Sequence, residues 1–380
     1  MTETQAWLLL LRTPGLGPVK INRLIAQWQS PQAAFGRDHY PPEWKLPAKT
    51  IQALRDPKIQ SIARDMDWLQ QPNNHLIPRS DPLYPPLLEE IPQPPPALFV
   101  HGQAETLVQP QLAIVGSRHA TGGAIRNTRE FAAQLAAGGL TITSGMALGV
   151  DGASHQAALE AGGTTIAVTG TGLDIVYPAA HRQLAHHIAK SGALVSEFPL
   201  GTPAAASHFP RRNRLIAGLS LGTLVCEAGL KSGSLITARL TMEMNRPLMA
   251  IPGSIHNPLA RGCHQLIKQG ARLVESPMEV LEELQSMSER LAADLKKRLD
   301  PVAEKPQKSA PVLDSPARLA YSAASPAHRK ILESIGFDPT PIDQIISKSG
   351  LTANEVSSIL LLLELEGMVE SLPGAQYSRL

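Results

Sequence analysis

Seven short apolar runs between residues 111 and 276 restrict the fold more than any other feature of the sequence. They read LAIVGS, LTITSG, TTIAVTG, ALVSEF, TLVCEA, PLMAIPG and ARLVES. Each is rich in Val, Ile, Leu or Thr without polar alternation, and helix-length segments separate most of them. A strand that is apolar on both faces has to be covered on both, and crossover helices supply that cover. The pattern therefore predicts an α/β fold with an extended Rossmann-like parallel sheet. Such sheets bind ligands beyond the carboxyl ends of their strands. The residues that follow each run thus outline a site: Gly116, Ser117 and Arg118; Ser144 and Gly145; Gly170 to Asp174; Glu197; Glu227, with KSGS after it; and Pro252 with Gly253.

Several of these turns suit an anion. AIVGSRHATGGA runs from a strand into glycines that open a helix, so backbone N–H groups and the Arg118 guanidinium can converge on one negative group. It is not a G-x-G-x-x-G fingerprint, and no acid about 20 residues on suits a ribose. Taken alone, its glycines serve tight strand–helix packing equally well. In TSGMALGVDGASH, Asp151 stands where a helix N-cap would be, which is expected of it before a catalytic role. GTGLDIVYPAAHRQL repeats the glycine turn with Gly170, Gly172 and Asp174, and Arg182 follows one turn into the next helix. KSGSLITARL places Lys231, Ser232, Gly233 and Ser234 ahead of a helix beginning near Leu235.

HFPRRNRLIAGLS raises an electrostatic problem, because Arg211, Arg212 and Arg214, with Asn213, crowd what reads as a helix start. A helix N-terminus already carries partial positive charge, so a bound anion would resolve the conflict. The expectation is that Arg211 and Arg212 face that anion while Arg214 is structural. One of the three arginines is expected to pair with Glu197 or Glu227. Phe209 and Tyr177 are the aromatic candidates near the cluster, for base stacking or for plain core packing.

Charge distribution agrees with a polyanion. Residues 110–275 hold fourteen Lys/Arg against eight Asp/Glu, a net +6, whereas residues 1–109 are neutral and residues 276–380 are net −4. The two cysteines, Cys226 and Cys263, offer neither a disulfide framework nor paired metal ligands. No run reaches the roughly 18 apolar residues of a membrane span, and no signal peptide is visible, so a soluble cytoplasmic protein is expected. Asp151, Asp174, Glu197 and Glu227 near strand ends leave a second reading open, a Mg²⁺-dependent nucleotide or DNA hydrolase. Against it, these acids lie among arginines, and no pair has a spacing that demands a shared metal. His186-His187 and Cys263-His264 lack zinc partners, and no G-x-S-x-G elbow occurs. The expectation is a protein without cofactor, metal or catalysis.

The flanks read as further units. Residues 1–75 are helical, and PGLGP between two apolar helices resembles a helix-hairpin-helix (SAM-like) turn or a simple αα-turn. The proline-rich stretch 78–102 opens the sheet domain, taken as residues 76–288. It reads as an extended connection packed through Leu83, Tyr84, Leu87, Leu88, Leu98 and Phe99. Residues 289–322 read as a linker. Residues 323–380 read as a winged-helix-like unit with four Lys/Arg and seven Asp/Glu. That acidity favours a protein-contact or regulatory role over DNA reading.

In order and spacing, VGSR, SGMALGVDGASH, GTGLDIVYP, SEFPLGTPAAASHFPRRNRLIAGLS, EAGLKSGSLITA and IPG closely resemble the DNA-processing protein A family (DprA, also called Smf), over about residues 80 to 285. The resemblance implies a single-stranded DNA-binding protein that protects incoming DNA during natural transformation, loads the RecA recombinase on it, and acts as a homodimer. It further implies that Arg118, Arg182 and the segment Arg211 to Arg214 line the DNA pocket. The chain departs from the family at His181 and His264, where asparagine is common.

Overall fold

The computed structural model describes residues 1–285, 326–335, 339–365, 368–372 and 374–379. The chain opens with four helices, α1 (Glu3–Arg12), α2 (Pro18–Trp28), α3 (Ala48–Arg55) and α4 (Ala63–Leu69). Thr2 and Gln5 form a reciprocal capping box at the start of α1. Between α1 and α2 the PGLGP turn needs Gly15, which sits at φ +79° with Thr50 directly beneath it. The Thr50 hydroxyl donates to Pro14 O at 2.6 Å and ties this turn to α3. Trp7, Leu10, Ile21, Leu24 and Leu54 form the unit's own core. Leu8, Leu9 and Ile62 pack instead on Phe99, so the unit is seated on the sheet that follows.

The proline-rich stretch contains more structure than its composition implies. β1 (Asn74–Pro78) and β2 (Ala97–Gly102) pair antiparallel, with the short α5 (Pro86–Glu89) between them. This corrects the reading of an extended connection. Prolines occupy the loop and the strand end, where no ladder N–H is needed, and leave ALFVHG free to pair. Tyr84, Leu87, Leu88, Leu98 and Phe99 are buried.

All seven apolar runs are strands: β3 (Gln111–Val115), β4 (Thr141–Ser144), β5 (Thr165–Val168), β6 (Ala193–Ser196), β7 (Gly222–Val225), β8 (Leu248–Ala250) and β9 (Arg272–Leu273). The sheet order is β1-β2-β6-β5-β4-β3-β7-β8-β9, parallel from β6 to β9 and antiparallel at β1 and β2. Between them run α6 (Gly122–Ala137), α7 (Val150–Glu160), α8 (Arg182–Ser191), α9 (His208–Leu219), α10 (Ser234–Glu243) and α11 (Arg261–Lys268). Along β3, Leu112 and Ile114 meet Phe131 and Leu135 of α6, while Ala113 and Val115 join the opposite core with Leu215 and Ile216 of α9. That alternation is the two-residue period of a strand covered on both faces. The chain steps from β3 outward to β6, then returns to place β7 on the other side of β3. The switch point of the sheet therefore lies between β3 and β7.

The C-terminal unit comprises α12 (Pro326–Ser334), α13 (Ile342–Ser349) and α14 (Ala353–Leu365), with a small sheet of β10 (Thr340–Pro341), β12 (Gln376–Arg379) and β11 (Val369–Leu372). Ile331, Leu332, Ile345, Val356, Leu360 and Val369 fill its core. Three helices followed by a hairpin make the winged-helix arrangement. The linker expected at 289–322 lies outside the described residues.

Candidate nucleic-acid interface

The turns after β3, β4 and β5 meet at one cavity of about 230 Å³. Arg118, His119, Gly145, Ala147, Leu148, Gly170, Thr171, Tyr177, Phe209 and Arg212 line it, with Pro178. The first two turns are joined where Val150 N donates to Ser117 O at 3.2 Å. Asp151 then organises the second, accepting from Gly145 N at 3.1 Å and from Ala147 N at 3.3 Å. It lies within α7, whose N-cap is Gly149, so the expectation of Asp151 as N-cap is corrected. Burial raises the Asp151 pKa, and the Arg212 cation and the two amides oppose that rise.

The aromatic wall is made by Phe209 of α9 and Tyr177 of the segment between β5 and α8. Phe209 lies 5.6 Å from Tyr177, ring centre to ring centre, and the exposed Arg118 guanidinium lies 5.7 Å from the Phe209 ring. Gly170 lets Phe209 approach, since a Cβ there would come within 3.2 Å of its ring. Half of the Tyr177 surface, 50%, is open to solvent, which no pure core residue would leave. Gly145 similarly leaves room for the Arg212 guanidinium, which a Cβ would overlap.

Helix α9 begins at His208, one turn earlier than the arginines suggested, and this shift redistributes their roles. Arg212 points inward with only 5% of its surface exposed. Its Nη1 donates to Val168 O at 2.6 Å and also to Gly145 O, and its Nε donates to Asn213 Oδ1 at 3.1 Å. Burial lowers its pKa to about 10, with Asp151 opposing, so the cation persists at neutral pH. Expected to face DNA, Arg212 contributes to the cavity wall while it braces the strand-end turns after β4 and β5. Arg211 and Arg214, three residues apart on one face, both pair with buried Glu197. Two arginines thus hold this carboxylate, not one. Arg214 also donates to Gln93 O at 2.8 Å, whereas Arg211 keeps 45% of its side chain exposed.

The other candidates lie outside this cavity. Ser144 is fully buried and its hydroxyl donates to Ile114 O at 2.6 Å, which ties β4 to β3. Gly116 closes a tight approach, because a Cβ there would strike Val150 and Glu227 O. Ser117 is buried beneath the loop and accepts from His119 N at 3.2 Å. Arg182 is exposed at the first position of α8. Ser232 and Ser234 bond to each other at 2.6 Å, next to exposed Lys231. The KSGS turn meets the arginine segment where Asn213 Nδ2 donates to Gly233 O at 3.4 Å. His181 and His264, at the two positions where the chain departs from the family, donate to Met146 O and Gly253 O, each at 2.9 Å.

A second cavity of about 180 Å³ lies across the switch point, lined by Thr121, Gly123, Ala124, Asn127, Glu227, Ser254 and Asn257 among others. Glu227 closes one side of it, accepting from Thr121 N at 3.0 Å, Thr121 Oγ1 at 2.9 Å and Asn257 Nδ2 at 3.1 Å. Sequence reasoning missed His119, Ala147 and Leu148 at the first cavity. Their only signal was proximity to a strand end.

Comparison with known proteins agrees with this architecture. The family model for DNA recombination-mediator protein A matches residues 75–285, and that for the DprA winged helix domain matches residues 315–375. The chain is 41% identical to Protein Smf of Escherichia coli over 100% of its own length and 96% of that protein's. It is 45% identical to DNA processing protein DprA of Streptococcus pneumoniae over 54% of this chain and 72% of that one. The X-ray structure of the pneumococcal protein superposes with a TM-score of 0.65 at 35% identity, covering 74% of this chain and 99% of the other. With a family model spanning more than half of the sequence and a relative aligned from end to end, the chain belongs to the DprA (Smf) family.

Proposed function

We propose that the protein binds single-stranded DNA in the cavity beyond β3, β4 and β5, protects it, and loads RecA on it during natural transformation, acting as a cytoplasmic homodimer. One observation carries the DNA reading: exposed Arg118 stands beside the Tyr177–Phe209 ring pair in a cavity walled by glycine turns. A cation for phosphate next to rings for bases is what a sequence-tolerant single-strand site requires. The central net charge of +6 adds attraction over a longer range. Delivery to RecA, transformation and the dimer rest on family membership and on nothing in the cavity itself.

The hydrolase reading fares worse, because the four strand-end acids are committed to separate partners. Asp151 takes two amides, Glu197 two arginines, and Glu227 Thr121 and Asn257. Asp174 pairs with Arg64 and with Gly201 N. Binding without turnover is accordingly the function we assign.

The test is the anisotropy of a labelled oligothymidylate across a salt series. Arg118→Ala should weaken binding and reduce the log–log salt slope by about 0.7, the loss of one phosphate contact on a single strand. Phe209→Ala should cost about 1–3 kcal/mol of affinity with the slope kept. Unchanged affinity in both variants would remove the assignment.

A further inference from the structure

The C-terminal unit rests against the first turns of α6, and the residue it presents there is acidic. Strand β12 packs on α6. The Glu370 carboxylate, on β11, lies so close over Gly122 that a Cβ at Gly122 would run into it. Arg379 of β12 stands near Arg126 one turn further along, and with burial it lowers the Arg126 pKa.

Gly122 is the first residue of a helix of 16 residues. Thr121 Oγ1 takes the Ala124 amide at 3.2 Å and Glu227 takes the Thr121 amide. The first N–H groups of any helix lack partners within it, and their partial positive charge favours an anion. Here a side-chain carboxylate from another part of the same chain stands over that end.

The location gives the contact its meaning. The loop after β3 carries Arg118 and His119 on the larger cavity and leads into the start of α6, which puts Thr121, Gly123 and Ala124 on the smaller. Gly122 lies between the two, four residues from Arg118 and hence at most about 14 Å along the chain. A strand leaving the Arg118 cavity over this loop would bring a phosphate to the α6 N-terminus, where Glu370 now sits. The unit that supplies Glu370 holds seven Asp/Glu against four Lys/Arg, and the block it rests on is net positive.

We propose that the C-terminal unit competes with DNA: Glu370 covers the start of α6 beside the Arg118 loop, and a long strand that crosses this loop must displace it. The proposal deepens the single-strand reading of the Arg118 cavity and rests on it. A strand confined to that cavity ignores Glu370, whereas one that crosses the loop pays for its displacement.

Two probes separate these cases, oligothymidylates of about 6 and about 30 nucleotides, titrated against the full chain. Glu370→Gln should tighten the long probe about twofold to tenfold and leave the short probe unchanged. Glu370→Lys should tighten it further, and the gain should shrink as salt rises. Circular dichroism confirms that both variants fold. If Arg118→Ala weakens both probes while Glu370→Lys binds the long one as the parent does, the competition proposal is wrong and the cavity stands. If neither probe responds to Arg118→Ala, the cavity reading fails first.

Discussion

Arg118 and Arg212 share a side chain and stand on the same cavity, yet they do opposite work. Arg212 is enclosed by carbonyl oxygens near Asp151, so removing its charge leaves a carboxylate without compensation in the interior. Arg212→Met should destabilise the fold by about 3 kcal/mol in urea denaturation. Arg118→Ala should stay within about 0.5 kcal/mol of the parent, being exposed. Equal stability losses in the two variants would contradict this division. The sequence announces three arginines in four positions but not which one turns inward. That depends on where α9 starts, and a start at His208 puts Arg211 and Arg214 on one face with Glu197 and directs Arg212 into the core.

At the level of elements, α7 contains a titration that no motif marks. His155 is fully buried, and its Nδ1 donates to Thr165 Oγ1 at 2.6 Å, whose own hydroxyl donates to Ile142 O. Its Nε2 has no hydrogen-bond partner among the described residues. Burial, then the neighbouring His181 and Arg212, lower its pKa from 6.5 to about 3. The folded state therefore keeps His155 neutral where the unfolded chain protonates it. The stability this provides is complete above pH 6.5 and falls by up to about 1.4 kcal/mol per unit as pH drops toward 3. His155→Gln should flatten that part of the stability profile, and an unchanged profile would show that His155 does not titrate as buried. The parallel strands were legible because each is a continuous apolar run. β1 and β2 were not, because prolines mask their ends and their pairing links segments about 20 residues apart along the chain.

For the whole molecule, topology decides which turns share a site. The order β5-β4-β3-β7-β8 puts the turns after β3, β4 and β5 together and sends the KSGS turn to the far side of β3. From sequence, all the glycine and serine turns looked equivalent, since strand order is not written in any local motif. Seating of the C-terminal unit on α6 was equally invisible, because it depends on Glu370 meeting Gly122 across nearly 250 residues. The central claim is that single-stranded DNA passes through the Arg118–Tyr177–Phe209 cavity. Photocrosslinking of a 5-iodouracil oligonucleotide to the full chain, mapped by mass spectrometry, tests it most directly. The account predicts adducts on Tyr177 and Phe209; adducts confined to the KSGS turn or to the C-terminal unit, with none on these two rings, would contradict it.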